Sequence, residues 1–172
     1  TGNNMDSGNF TTSTKKFGTH SLFFNGSDEY VSTSDLNSHD GSVAFPTTGD
    51  FTIEHWFKYY SSGDQGNTDR IMSIGNTGTP SSGSTPGLSW GYQGGGTTSW
   101  NTYGDYSGNY NWGQTFPAVD TNWHHIAFVR KSGMLYSFLD GVYKGNDNFY
   151  NGNTMNSGGG SIFYGNRSGG GA

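Results

Sequence analysis

Along this chain apolar and polar residues alternate in short bursts, separated by Gly, Asn, Ser and Thr, with no sustained helical period. The clearest burst is "DFTIEHWFKYY" at 50–60. There Phe51, Ile53, His55, Phe57 and Tyr59 alternate with Thr52, Glu54, Trp56 and Lys58. Successive side chains on a strand point to opposite faces, so the spacing predicts a strand whose first set faces a core. Trp56 gives its second face a ring as well. "DRIMSIG", "GLSWGYQ" and "GSIFYGN" predict three further strands, and a breaker-rich loop runs from Asn76 to Pro86. "NWHHIAFVRKSGMLYSFLDGVYKG" predicts three more, broken at the two-residue turns Ser132-Gly133 and Asp140-Gly141. "THSLFFNGSDEYVS" reads as a hairpin: Leu22, Phe23 and Phe24 lead into an Asn25-Gly26 turn, with Tyr30 and Val31 beyond. "SDLNSHD" predicts one helical turn capped by Ser34. About ten short strands with no long helix indicate an all-β, two-sheet antiparallel sandwich of the jelly-roll kind.

Composition narrows the class. Charged residues are 12% of the 172, while aromatics are 16% and glycines number 30. A disordered chain is rich in charge and poor in rings, so this composition belongs to a folded chain with many turns. The net charge of −5, with only eight Lys and Arg that do not cluster, excludes a nucleic-acid backbone as partner. No apolar run approaches the ~18 residues of a spanning helix, so no membrane insertion is expected. Without cysteine there is no disulfide framework, thiolate zinc site or cysteine nucleophile.

Three segments, in order from Gly18 to Val142, resemble the laminin-G-like, concanavalin A-like jelly-roll superfamily. "GTHSLFFNGSDEYV" is similar to the family's early Ser-Leu-x-Phe hairpin. "DFTIEHWFK" is similar to its Phe-Thr-Ile-Glu-x-Trp strand, and "WHHIAFVRKSGMLYSFLDGV" to its Trp-His-His strand and Asp-Gly hairpin. The resemblance implies two antiparallel sheets stacked face to face, with residues 1–17 as an N-terminal extension and 18–172 as the domain. It also implies a last strand bearing Ile-Asp-Glu beside the N-terminal hairpin. That motif is missing here, so the expectation is that the last strand lies outside these residues or is supplied by another chain. The family serves glycan binding, adhesion, glycoside hydrolysis and virion architecture, so the fold alone does not choose.

The candidate chemistry is weighed residue by residue. A retaining glucanase needs two carboxylates about 5–5.5 Å apart on one strand face. The Glu-x-Asp-x-Glu pattern is absent, and Glu54 has Thr52 and Trp56 as same-face neighbours. A lone glutamate cannot both attack and protonate, so the chain is read as a non-enzyme. His124 and His125 are adjacent on a strand and face opposite ways, which suits framework residues and not a chelating pair. Calcium takes about six to eight oxygens from loops and turns. Asn25, Asp28 and Glu29 at the first hairpin could supply some, Asp28 foremost. Asp64, Asn67 and Asp69 form a second such loop. The alternative is that all are solvated turn residues, because Asp and Asn are standard in turns.

"SWNTYGDYSGNYNW" at 99–112 is the most distinctive stretch. Trp100, Tyr103, Tyr106, Tyr110 and Trp112 with Asn101, Asp105 and Asn109 combine flat rings with amide and carboxylate partners. Sugars present apolar C–H faces and polar rims, so a ring-bearing loop of this kind suits a glycan. Rigid rings also lose little entropy on binding. Two other readings stand beside it: an interface with neighbouring protein subunits, whose cores favour Tyr and Trp, and local packing with Trp100, Thr102 and Gly104 alternating along a strand. The sequence thus predicts a LamG-like surface module of a virion or an extracellular adhesin. It acts through glycan binding or, alternatively, as an architectural decoration domain held by protein–protein contacts.

Overall fold

The structure, a computed structural model, describes residues 10–24, 31–32, 49–59, 70–75, 86–93, 99–106, 109–117, 120–147 and 162–165. Strands and no helix are found among them. In chain order these are β1 (Phe10–Thr11), β2 (Ser21–Leu22), β3 (Val31–Ser32), β4 (Phe51–Lys58), β5 (Arg70–Gly75) and β6 (Pro86–Gln93). They continue as β7 (Ser99–Tyr106), β8 (Asn109–Pro117), β9 (Trp123–Lys131), β10 (Met134–Leu139), β11 (Val142–Asp147) and β12 (Ile162–Tyr164). A four-stranded sheet has the order β11-β10-β9-β4, and a six-stranded sheet the order β3-β12-β5-β6-β7-β8. All pairings are antiparallel. The expected all-β sandwich is therefore observed.

The inner faces follow from the alternation. On β4 the exposure rises at Thr52, Glu54, Trp56 and Lys58 and falls at Phe51, Ile53, His55 and Phe57. Register pairs share a face, so Ile53, His55 and Phe57 bring in Phe128, Ile126 and His124 of β9. Leu135 and Leu139 of β10 join this face, and Met72, Leu88 and Trp90 of β5 and β6 close over it from the other sheet. Trp90 is central: its ring lies 4.8 Å from Phe57, 5.1 Å from His55 and 6.2 Å from Phe128. One indole thus touches β4 and β9 from across the sandwich.

The β9–β10–β11 meander forms as its turn residues require. Ser132 and Gly133 have φ of 50° and 82°, and Asp140 and Gly141 have 52° and 75°. Two successive positive φ values define the turn whose twist matches paired strands, and both Asp-Gly and Ser-Gly suit it. Asp50 ties β4 to the first of these turns. Its carboxylate accepts from Lys131 Nζ and from the Ser132 amide, both at 2.8 Å.

Two local expectations are corrected. Among the described residues, 22–24 do not pair with Val31: Leu22 of β2 stands opposite Phe10 of β1, and Val31 of β3 stands opposite Tyr164 of β12. A turn signal governs chain direction locally, whereas apolar partners distant in sequence decide which edges meet. The turn itself at 25–30 and the "SDLNSHD" segment lie outside the described residues. Second, 99–112 is not a loop but most of two long paired strands, β7 and β8. The β-preference of Trp, Tyr and Thr outweighs the turn preference of the Asn and Gly between them.

Replacing Trp90 by alanine should remove a side chain that bridges three strands and both sheets. A stability loss of about 3–5 kcal/mol is expected in urea or thermal unfolding, and a loss below ~1 kcal/mol would contradict this packing.

Candidate functional site

The β7–β8 hairpin carries the eight positions expected to grip a partner, and the ladder sorts them. Leu88 and Trp90 of β6 are buried at 0% and 1% exposure, so their register partners Gly104 and Thr102 sit on the core-facing side of the sheet. Trp100, opposite Tyr92, and Tyr106 belong to the same side by the period of two. Asn109, opposite Tyr106, falls there too. Tyr103 and Asp105 take the outward register, and β8 places Trp112 opposite Tyr103 and Tyr110 opposite Asp105. The two cross-strand pairs are thus neighbours on one outward patch, at the edge of the six-stranded sheet. Asn101, opposite Thr115, extends the patch along β7. The register shift between Asn101 and Tyr103 lies within it.

A second outward surface, on the four-stranded sheet, was signalled in the sequence only by Trp56. Its ring stacks at 5.1 Å on His125, is met edge-on by Phe17 at 5.6 Å and lies under Lys16 Nζ at 4.2 Å. His125 Nε2 in turn is 3.5 Å from Glu54 Oε2. Further along this face Tyr143 packs 5.8 Å from Phe138 and 6.5 Å from Tyr136. Phe17, Trp56 and Tyr143 all remain exposed. These side chains come from elements far apart in sequence, which is why no linear motif announces them.

Glu54 lies outward on β4, opposite Ala127, with Thr52 and Trp56 beside it. No partner carboxylate stands at these neighbouring positions. His124 and His125 take opposite faces as expected, His124 toward Phe57 and His125 toward Trp56. Among the described residues no cluster of His, Asp and Glu is arranged to hold a metal ion. The calcium candidates Asn25, Asp28, Glu29, Asp64, Asn67 and Asp69 lie outside the described residues.

His55 is turned into the core. It is wedged between Trp90 and Tyr164, whose ring it meets at 5.7 Å, and neither of its ring nitrogens has a hydrogen-bond partner among the described residues. Burial, aided by the nearby His125, lowers its pKa to about 4, so it is neutral in the fold. Burial likewise raises the Tyr164 hydroxyl.

Residues 25–172 match the profile of the concanavalin A-like lectin/glucanase superfamily, in its laminin G form. The chain belongs to that superfamily. Among solved structures, domains LG4-5 of the mouse laminin α1 chain align with 83% of this chain at 12% identity and a TM-score of 0.52. Sheep galectin-11 aligns with 84% of this chain and 93% of its own, at 13% identity and a TM-score of 0.47. An alginate lyase of polysaccharide lyase family 7 aligns with 93% of this chain and 81% of its own, at 12% identity and 0.49. This chain spans about a third, 32%, of the laminin structure's length. At such identities the likeness is one of fold. A search of curated proteins found no match.

The core histidine generates a pH prediction. Its folded pKa lies below the unfolded value of about 6.5, so the unfolded chain takes up a proton that the folded chain refuses. Stability should therefore fall as pH drops from about 6.5 toward 4. In His55→Leu, urea titrations at pH 7 and pH 4.5 should show that acid loss reduced by roughly 2–3 kcal/mol; an unchanged difference would place the imidazole in contact with water.

Proposed function

We propose that this superfamily domain is a non-enzymatic carbohydrate-binding module that holds a glycan on the outward face of the β7–β8 hairpin. The observation that carries this reading is the register. It brings Tyr103, Asp105, Tyr110 and Trp112 to adjacent positions on the face turned from the core. Three rings and a carboxylate are the complement of a sugar's C–H faces and hydroxyl rim, and a strand pair presents them with little freedom to lose. Trp100, Tyr106 and Asn109, on the core-facing register, support that face instead. Lone Glu54, without a second carboxylate beside it, favours binding over hydrolysis. Such a module suits an exposed adhesin or a virion surface. Calcium at Asn25 and Asp28 remains part of the proposal, as a brace for the chain between β2 and β3 and not as a sugar ligand.

A second reading, an architectural domain docked on neighbouring subunits, is favoured by the exposed rings of Phe17, Trp56 and Tyr143 on the other sheet.

A glycan array probed with and without EDTA tests both. Binding to a defined glycan should weaken ~10-fold or more in Tyr103→Ala and Trp112→Ala, with thermal stability largely kept. Binding that survives EDTA would assign calcium no part at the sugar. A flat array, with self-association that disappears in Trp56→Ser, would overturn the glycan reading in favour of the architectural one.

A further inference from the structure

His124 stands at the start of β9 with a carboxylate at each ring nitrogen. Nδ1 is 2.7 Å from Asp140 Oδ2, and Nε2 is 3.0 Å from Asp120 Oδ1. An ionised carboxylate only accepts hydrogen bonds, and a neutral imidazole has a single N–H to give. Both contacts are satisfied together only by the imidazolium. The two arms come from different places. Asp140 belongs to the tight turn between β10 and β11, while Asp120 lies in the segment that carries the chain from β8 in one sheet to β9 in the other.

The arms are also unequal. Asp140 is held twice more, since its Oδ1 accepts from the His125 amide at 2.8 Å and its own amide donates to the His125 carbonyl at 2.8 Å. Among the described residues Asp120 otherwise binds only its own segment, accepting from the Asn122 amide and the Asn122 side chain, each at 2.7 Å. Its side chain is 62% exposed against 45% for Asp140. From β4 the imidazole meets Phe57, at 5.9 Å, which carries no charge. His125, next in the chain, is turned to the other face beside Glu54. Among the described residues the two aspartates therefore set the charge balance.

We propose that His124 is a proton-operated latch that, as an imidazolium, ties the β8–β9 crossover to the β10–β11 turn and, on losing its Nε2 proton to solvent, keeps Asp140 and releases Asp120. With the proton gone, the Nε2 lone pair faces a carboxylate oxygen, and the exposed Asp120 turns to water. Partial burial disfavours the imidazolium, but the hydrogen bonds and charges of Asp140 and Asp120 outweigh it and raise the pKa above 6.5. Asp120 is held below the usual carboxylate value, chiefly by the Asn122 amide and His124. Asp140 is held below it too: burial opposes this, and the bonds from His124 and the His125 amide prevail. The latch is therefore closed through mildly acid pH, opens as pH rises through the raised histidine value, and opens on the acid side only once the aspartates take protons. The neutral core His55 responds with the opposite sign and has no part in it.

Nitrogen-detected NMR of the intact chain between pH 5 and 9 tests the latch. Both His124 nitrogens should carry protons at pH 6, with a titration midpoint above 6.5. The protection factor of the Asn122 amide should fall through that same midpoint while that of His125 holds. Asp120→Asn should lower the midpoint, and His124→Gln should abolish the step at Asn122. A singly protonated His124 at pH 6, or an Asn122 amide whose protection ignores the His124 midpoint, would overturn the proposal.

Discussion

The sandwich depends on one indole being gripped from both sides. Trp90 leaves the six-stranded sheet and is met by Phe57, His55 and Phe128 from the four-stranded one. Ring-on-ring contact at these separations fixes the spacing of the sheets more sharply than aliphatic packing would, because edge and face meet only in a few orientations. The same constraint explains the unpartnered His55. A flat side chain was required between Trp90 and Tyr164, and the imidazole supplies the shape while leaving its nitrogens without partners among the described residues. It also orders the surfaces, since a strand with its rings committed inward has only its alternate positions left for contact.

Much of this frame was legible in the residues. The alternation of "FTIEHWFK" gave the correct buried set, and Ser132-Gly133 and Asp140-Gly141 marked real turns with the backbone angles those pairs favour. What misled was local chemistry read in isolation. Asn25-Gly26 argued for pairing between 22–24 and 30–31, yet Leu22 and Val31 found partners in Phe10 and Tyr164, which no turn rule can foresee. The Asn and Gly residues of 99–112 argued for a loop, although Trp100, Thr102 and Gly104 already alternated as strand positions do. The contacts around Trp56 and His124 were illegible for another reason: the first joins side chains from three separate segments and the second reaches across sixteen residues to Asp140, and no motif marks either.

Membership of the concanavalin A-like lectin/glucanase superfamily accounts for the sheets and leaves the surfaces to this chain. The matched residues begin at 25, so the β1–β2 hairpin that brings Phe17 and Lys16 onto Trp56 precedes the shared part. The two outward faces differ in kind. One offers Tyr and Trp positions with a carboxylate along a strand pair, and the other offers exposed rings beside Lys16, His125 and Glu54.

The clasp between Asp50 and Lys131 joins residues 81 positions apart. The β9–β10–β11 meander, by contrast, is closed by two-residue turns and needs no distant partner. Loop-closure entropy grows with the length enclosed, so contacts near in sequence form before remote ones. The meander is thus the natural seed of folding. It presents a finished β9 edge on which β4 can zip, and Asp50 fastens late. On a ribosome the first half of the chain would emerge with its best strand still waiting for a template that has yet to be synthesised.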